Sequence, residues 1–400
     1  MRLLHTADWH VGKTLYGFDR TPEIREAMLE TLEIGLAHNV DAILAAGDLF
    51  DNRNPSAEAE QAVYEFMREA NMAGLPLIII AGNHDSPRRL DALAEFMRNH
   101  NIHIIGKPRG VKDGGLITLN IRGEELKVAG FPFVSDRVLR SSEEMFSGEL
   151  AEGITSYQEK VRRFLHGLAS GFRSDTANVL LMHGTMHGAR LSGSERVFHS
   201  GRDFVVDPAH LPDTVSYVAM GHIHMAQGLE GFPEEQARYS GSLVQLDFGE
   251  AGDEKRAYVV EVSPGVPART IASVPIKSGR ELRVERLTVA QLESRHEELR
   301  AFPGHLKVIV QVESSDPSIR ERVRQRLPNA RVIQVEVPRA RVEERPIVSV
   351  SGSHRENFVW YWRETHGGEV DAAVMRKFDE LLARVDDSED PVGVESGVLV

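Results

Sequence analysis

The chain has 400 residues, more than one hydrophobic core usually needs, so length alone points to two or three domains. It contains no cysteine, which excludes disulfides, thiolate zinc sites, iron–sulfur clusters and a cysteine nucleophile; any metal must be held by nitrogen and oxygen. The formal net charge of −13 is uneven: residues 351–400 carry −6, residues 269–345 carry +5 and the remainder −12, so a single basic stretch stands in an acidic chain. The opening MRLLHTADWH has no basic-then-apolar leader pattern, and no apolar run nears the roughly 18 residues of a bilayer span. A soluble cytoplasmic protein is expected.

Arg2–Thr6 reads as a short strand. Residues 22–38 place Ile24, Met28, Leu32 and Leu36 at helical spacing behind a first-turn Pro22. Asp41–Ala46 is apolar and closed by Gly47, which predicts a buried strand. Residues 56–72 form a second helix with Ser56 as N-cap. Leu77–Ile80 is too short and too β-branched for a helix, and residues 87–99 make a third one. This alternation is the pattern of parallel βαβ units. Between about 115 and 135 it gives way to strand–turn–strand around Arg122-Gly123. A helix near 155–169 and strands at Asn178–Met182, Val215–Met220 and Tyr258–Val262 follow. The Pro/Gly-rich run Val262–Pro267 is expected to end this domain.

Residues 274–345 read as a small α+β unit, with helices at 288–300 and 316–326 preceding strands Leu306–Val312 and Arg331–Val337. Residues 354–385 read as two helices broken at Gly367-Gly368, the second carrying the stripe Val370, Val374, Phe378, Leu381 and Val385. The expected domains are 1–270, 271–345 and 346–400.

Five short motifs follow strand candidates directly: Asp8-Trp9-His10, Gly47-Asp48, Gly82-Asn83-His84-Asp85, His183-Gly184 and Gly221-His222-Ile223-His224. All would project from the same carboxyl edge of a sheet, where open α/β sheets place ligands. An extended backbone would put Asp8 and His10 on one side, and His222 and His224 likewise. The glycines before Asp48, Asn83 and His222 permit tight turns. Asp8, His10, Asp48, Asn83, His183, His222 and His224 are seven nitrogen or oxygen donors. One divalent ion takes about four to six ligands, so the set points to two ions sharing a carboxylate. Two ions about 3.5–4 Å apart clamp the attacking and leaving oxygens of an in-line phosphoryl displacement. Each motif alone is weak; their order, each behind a strand, carries the inference.

This ordered set resembles the calcineurin-like metallophosphoesterases. Within them, HTADWHVGK, LAAGDLFDNRNPS, IIIAGNHDS, MGHIHMAQ and YSGSLVQLDFGE resemble the nuclease subunits of the bacterial SbcCD complexes, over about residues 1–270. The resemblance implies an α/β class: a metallophosphoesterase β-sandwich flanked by helices, then a small α+β capping domain and a C-terminal helical hairpin. It implies that Asp8, His10, Asp48 and His224 hold one ion, and that Asp48, Asn83, His183 and His222 hold the other. His84 would protonate the leaving oxygen or stabilise the phosphate, with Asp85 orienting its ring. Archaeal and eukaryotic relatives often carry His three residues after the bridging Asp, where this chain has Asp51. The implied cofactors are two divalent ions, Mn²⁺ before Mg²⁺. The implied activities are double-strand exonuclease and single-strand or hairpin endonuclease action on DNA. The implied partner is the SbcC ATPase, bound through the C-terminal helical segment.

The alternative is a small-substrate phosphodiesterase or phosphatase of the same superfamily. It would need only the first 270 or so residues, so the basic unit and the hairpin favour the nuclease. His187 is a candidate neighbour of the metal ligands, and Arg53 and Asn54 are candidate phosphate contacts. Arg320, Arg322, Arg324 and Arg326 spread around a predicted helix of the unit expected to guide DNA. Trp360 and Trp362 suit a docking surface. A homodimer is expected through Val63, Phe66, Met67, Leu90, Leu93, Phe96 and Met97 of the helices at 56–72 and 87–99.

Overall fold

The apolar runs are strands and the 3.6-period stretches are helices. In chain order the principal elements are β1 (Arg2–Thr6), α1 (Thr21–Ala37), β2 (Ala42–Ala45), α2 (Ala57–Met72), β3 (Leu77–Ile80), α3 (Pro87–Met97), β4 (Ile102–Ile105), β5 (Leu116–Ile121) and β6 (Glu124–Phe131). They continue with α4 (Tyr157–Ala169), β7 (Ala177–His183), β8 (Tyr217–Gly221), β9 (Gln227–Gly228), β10 (Ala237–Tyr239), β11 (Arg256–Ser263), β12 (Val266–Pro275) and β13 (Leu282–Thr288). The last are α5 (Val289–Ala301), β14 (His305–Gln311), α6 (Ile319–Arg326), β15 (Ala330–Glu336), α7 (His354–His366) and α8 (Ala372–Asp387). The computed structural model describes residues 1–134, 157–192, 205–230, 232, 235–314, 316–337 and 354–387. The chain divides into two units, Met1–Pro338 and Arg339–Val400.

The first unit is built on two six-stranded mixed sheets, not on one. The first has the order β12-β11-β1-β2-β3-β4 and the second β9-β10-β8-β7-β6-β5. β1 to β4 run parallel, and so do β6, β7, β8 and β10. Side-chain alternation sends Leu3, Leu44, Ile78 and Ile80 to the inner face of the first sheet, where they meet Leu126, Val128, Val179 and Leu181 of the second. The opposite face of the first sheet, with Leu4, Ile43 and Ile79, packs against Ile24 and Met28 of α1 and Val63, Phe66 and Met67 of α2. The outer face of the second, with Leu180 and Met182, packs against Val161, Phe164 and Leu165 of α4. The strands that carry the donors are buried on both faces, which is why they read as continuous apolar runs.

Val262–Pro267 is not the end of this sheet system. Gly265, at φ +67°, makes the turn of a hairpin, and β12 extends the first sheet to Pro275. A Pro/Gly pair marks a reversal of chain direction, and here the reversal leads to another strand. Beyond it, β13, β14 and β15 form a three-stranded parallel sheet with α5 and α6 as crossovers. Its own core contains Leu287, Leu292, Leu299, Val308, Val310 and Val323. Thr288 and Gln291 form a reciprocal capping box that starts α5. β13 escaped the sequence pattern because Arg283, Glu285 and Arg286 interrupt its apolar positions.

Glu23 on α1 ties this third sheet to the first. Its carboxylate accepts the Arg280 backbone N–H at 2.8 Å, lies 3.1 Å from Arg20 Nε and 3.3 Å from His305 Nε2. The Phe18 ring lies 4.5 Å from the His305 ring, tilted against it and beneath the Arg331 guanidinium.

Helices α7 and α8 make up the described part of the second unit. Phe358 stacks on Phe378 at 4.1 Å, and Arg355 Nε pairs with Asp379 Oδ1 at 3.0 Å. Trp362 turns towards Phe358, whereas Trp360 and Tyr361 are exposed, at 47% and 54%. Residues 338–353 and the Val385 side chain lie outside what the structure describes. Among the described residues no helix is long and apolar enough to cross a membrane.

Candidate metal centre

The carboxyl ends of both sheets deliver the donors to one place. Asp8, Asp48 and Asn83 follow β1, β2 and β3 of the first sheet. His183 ends β7 and His222 follows β8 of the second. All seven donors and His84 are buried. Asp8, His10 and His224 bring ligand atoms within 4.8 Å of one another; so do Asp48, His183 and His222, and so do His10, Asp48 and His84. Two clusters therefore meet at Asp48, the arrangement expected of a shared carboxylate.

The backbone achieves this differently from the expected extended geometry. Asp8, His10 and Asp48 lie at φ near +50°, and His222 at +98°. Left-handed backbone at a non-glycine residue costs on the order of 1 kcal/mol or more and concentrates at functional sites. Cross-loop hydrogen bonds hold it: Asp8 N–H to Gly47 O, His10 N–H to Asp48 O and Val11 N–H to Leu49 O, each at 3.0 Å. The glycines also act differently. Gly47 has φ +90°, but Gly82 and Gly221 are needed for space: a Cβ would overlap Asp48 at the former and the Ala46 carbonyl at the latter.

Hydrogen-bond polarity shows that the residues fit cations. His183 Nδ1 lies 2.7 Å from the Ala46 carbonyl, which only accepts, so Nδ1 carries the proton. Its Nε2 lies 3.1 Å from Asn83 Oδ1 and 3.4 Å from Asp48 Oδ2, where a proton or a metal ion would satisfy all three atoms. His222 Nδ1 also lies 2.8 Å from Asn83 Oδ1. In the other cluster His224 Nδ1 faces Glu250 Oε1 at 3.0 Å, and His10 Nδ1 lies 3.3 Å from Asp51 Oδ1 without a hydrogen bond to it. The Nε2 atoms of the two rings lie 3.2 Å apart. Ring nitrogens and carboxylate or amide oxygens converging in this way suit a cation among them.

The titration behaviour has the same cause. Burial, reinforced by the Asp48 charge, pushes Asp8 up to about 7, and burial holds His10 down at about 4. At His183 burial opposes protonation, but Asp48 and Asp8 overcome it and raise the imidazole to about 9. The field here favours positive charge. Asp48 itself stays well below the usual carboxylate range despite burial, because His183, His10 and His84 surround it.

His84 sits against the cluster. Its backbone N–H donates to Asp48 Oδ1 at 2.8 Å, and its Nδ1 donates to the Asp51 carbonyl at 2.7 Å. Asp85 does not orient that ring. It accepts the backbone N–H groups of Gly82, Phe50 and Leu49 at 2.9, 3.0 and 3.2 Å, because its short side chain turns back to brace the two loops. Asp51 pairs with Lys13 Nζ at 3.2 Å. His187, Arg53 and Asn54 are exposed.

Two partners escaped the sequence patterns: Asp51 as the carboxylate facing His10, and Glu250 as the one facing His224. Glu250 lies 26 residues beyond His224, with no spacing rule to link them. The quoted YSGSLVQLDFGE run contains it, which was the available signal.

The arginines of the third-sheet unit are largely paired with carboxylates of the same unit: Arg286 with Glu336, Arg295 with Glu285 and Glu298, Arg322 with Asp316, and Arg326 with Glu293. Of the apolar residues expected at a dimer interface, Val63, Phe66, Met67 and Leu90 are core. Leu93 and Met97 pack against that core, and Phe96 is 70% exposed.

The calcineurin-like phosphoesterase family model matches residues 1–226. The chain is 36% identical over 285 residues to the SbcD component of nuclease SbcCD from Bacillus subtilis, spanning 70% of this chain and 71% of that one. It is 33% identical over 286 residues to the protein of the same name from Rhodobacter capsulatus, spanning 68% and 69%. The Escherichia coli K12 protein of that name is 30% identical over 280 residues, spanning 66% of each chain. The chain thus belongs to the calcineurin-like phosphoesterases and, within them, to the SbcD family.

Proposed function

We propose that this protein is a two-metal-dependent DNA nuclease, a double-strand exonuclease and single-strand or hairpin endonuclease that works with an SbcC ATPase in DNA end processing and repair. The observation that carries the proposal is the meeting of two donor clusters at Asp48 in a chain related to SbcCD nucleases. In this reading Asp8, His10, Asp48 and His224 hold one ion and Asp48, Asn83, His183 and His222 the other, with Mn²⁺ preferred. Bound there, two divalent cations would acidify a shared water and polarise the phosphodiester. The protein's residues do the rest. The left-handed loops hold the donors without rearrangement, and His84, fixed beside Asp48 with its Nδ1 proton on the Asp51 carbonyl, gives a second proton from Nε2 to the leaving oxygen.

The third sheet, as a capping domain over residues 271–345, guides DNA. Most of its arginines would exchange carboxylate partners for phosphates. Exposed ion pairs contribute only about 0–1 kcal/mol each, so the exchange costs little. Arg320 has no ion-pair partner among the described residues and is the first contact to examine. The C-terminal helices bind the ATPase, a homodimer forms around Phe96 and its neighbours on α2 and α3, and the protein works in the cytoplasm with its DNA.

The test is cleavage by the purified chain with Mn²⁺ of a blunt duplex, a DNA hairpin and a chromogenic phosphodiester. Mn²⁺-dependent cleavage of both DNAs is expected. Hydrolysis of the chromogenic diester with neither DNA cut would favour the small-substrate phosphodiesterase instead.

A further inference from the structure

We infer that Glu250 is a positioning residue: it fixes the proton of His224 on Nδ1 and so determines which ring nitrogen is offered to one of the two ions. This rests on the two-metal reading above. Glu250 ends the short turn Phe248–Glu250 and is fully buried. Its two oxygens do different work. Oε1 lies 3.0 Å from His224 Nδ1. Oε2 accepts from Lys255 Nζ at 2.7 Å, the Leu246 backbone N–H at 3.1 Å and the Ser242 hydroxyl at 3.3 Å. Lys255 Nζ also donates to the His224 carbonyl at 3.0 Å, so one ammonium group holds both the carboxylate and the histidine backbone.

An ionised carboxylate only accepts, so the His224 proton stays on Nδ1 and the Nε2 lone pair faces His10 Nε2. The histidines of the two clusters are not backed alike. His183 rests on the neutral Ala46 carbonyl, and the carboxylate facing His10 is partly open to solvent. His224 has a fully buried carboxylate behind it. Such a partner orients a ligating imidazole and raises its basicity, and its removal typically costs about 10–100-fold in metal affinity.

The three donors around Oε2 make Glu250→Gln informative. A glutamine fills the same volume, but its carbonyl oxygen must face Lys255, Leu246 and Ser242. Its NH₂ then points at His224 Nδ1 and donates to it. That favours the opposite tautomer, with the proton on Nε2, where the ion should bind. A residue that merely filled space would tolerate this isosteric change.

Mn²⁺ binding to the full chain, measured by titration calorimetry with thermal melts alongside, tests the inference. The wild type should bind two ions. Glu250→Gln should keep its melting temperature within a few degrees and bind one ion about 10–100-fold more weakly, with the other nearly unchanged. Wild-type affinity for both ions in the variant, or loss of both together, would overturn the positioning role while leaving the two-metal reading intact. A wild type that binds no divalent ion would overturn both. Independently of the variant, ¹⁵N imidazole NMR of the Zn²⁺-loaded wild type should show His224 protonated at Nδ1; a proton on Nε2 would refute the inference directly.

Discussion

His10 and His224 lie 214 residues apart in sequence, yet their Nε2 atoms are 3.2 Å apart, and the far side of each ring faces a carboxylate. Two imidazoles placed in this way bring ring nitrogens to a common point. Asp48 Oδ2 lies 3.6 Å from His10 and 3.4 Å from His183, which joins that point to the second cluster.

Asp48→Ala should therefore release both ions and abolish cleavage without unfolding the protein. Elemental analysis should find two Mn²⁺ per wild-type chain and none in the variant. Full activity in Asp48→Ala would refute the bridging role.

His84→Ala should separate chemistry from binding. The backbone N–H of residue 84 still reaches Asp48 Oδ1, so both ions and DNA should be retained while the rate falls about 10²–10⁴-fold. Collapse of metal occupancy would instead make His84 a ligand.

Glu23 should make the junction with the third sheet sensitive to acid. Burial alone would raise its pKa, but His305, the Arg280 N–H and Arg20 lower it from 4.5 to about 2. A depressed carboxylate contributes stability above its unfolded pKa and loses it as pH falls through the folded one. The difference corresponds to roughly 3 kcal/mol, lost between about pH 4.5 and 2. Urea melts across that window should show wild type falling towards Glu23→Gln, with the two most different near pH 7. Parallel curves would rule out the contribution.

Removal of residues 354–400 should leave Mn²⁺-dependent cleavage of a short single strand largely unchanged and abolish co-purification with SbcC. Within that segment the structure separates two tryptophans that look equivalent in sequence. Trp360 is exposed, whereas Trp362 faces Phe358. Trp360→Ala should weaken the partner by about 2 kcal/mol or more if it is an anchor. Trp362→Ala should lower the helicity of the isolated segment by circular dichroism. Undiminished SbcC binding after the truncation would move the interface elsewhere.

The amino-acid sequence by itself determined most of the strands and helices and the candidate donors. Both are local properties: apolar periodicity over a few residues, and polar residues directly behind a buried strand. Leu77–Ile80 or Gly221–His224 can be read without knowing their neighbours. Tertiary structure decided that the donors come from two sheets, because sheet membership depends on which strands pair across more than a hundred residues. It also decided that Asp8, His10, Asp48 and His222 adopt left-handed backbone, a conformation sustained by hydrogen bonds between loops. Likewise, Val63, Phe66 and Met67 are core while Phe96 stays exposed, since helical spacing marks an apolar face but not what covers it. Glu250 shows the limit most clearly: a buried carboxylate finds its histidine through folded space, and no local pattern links the two.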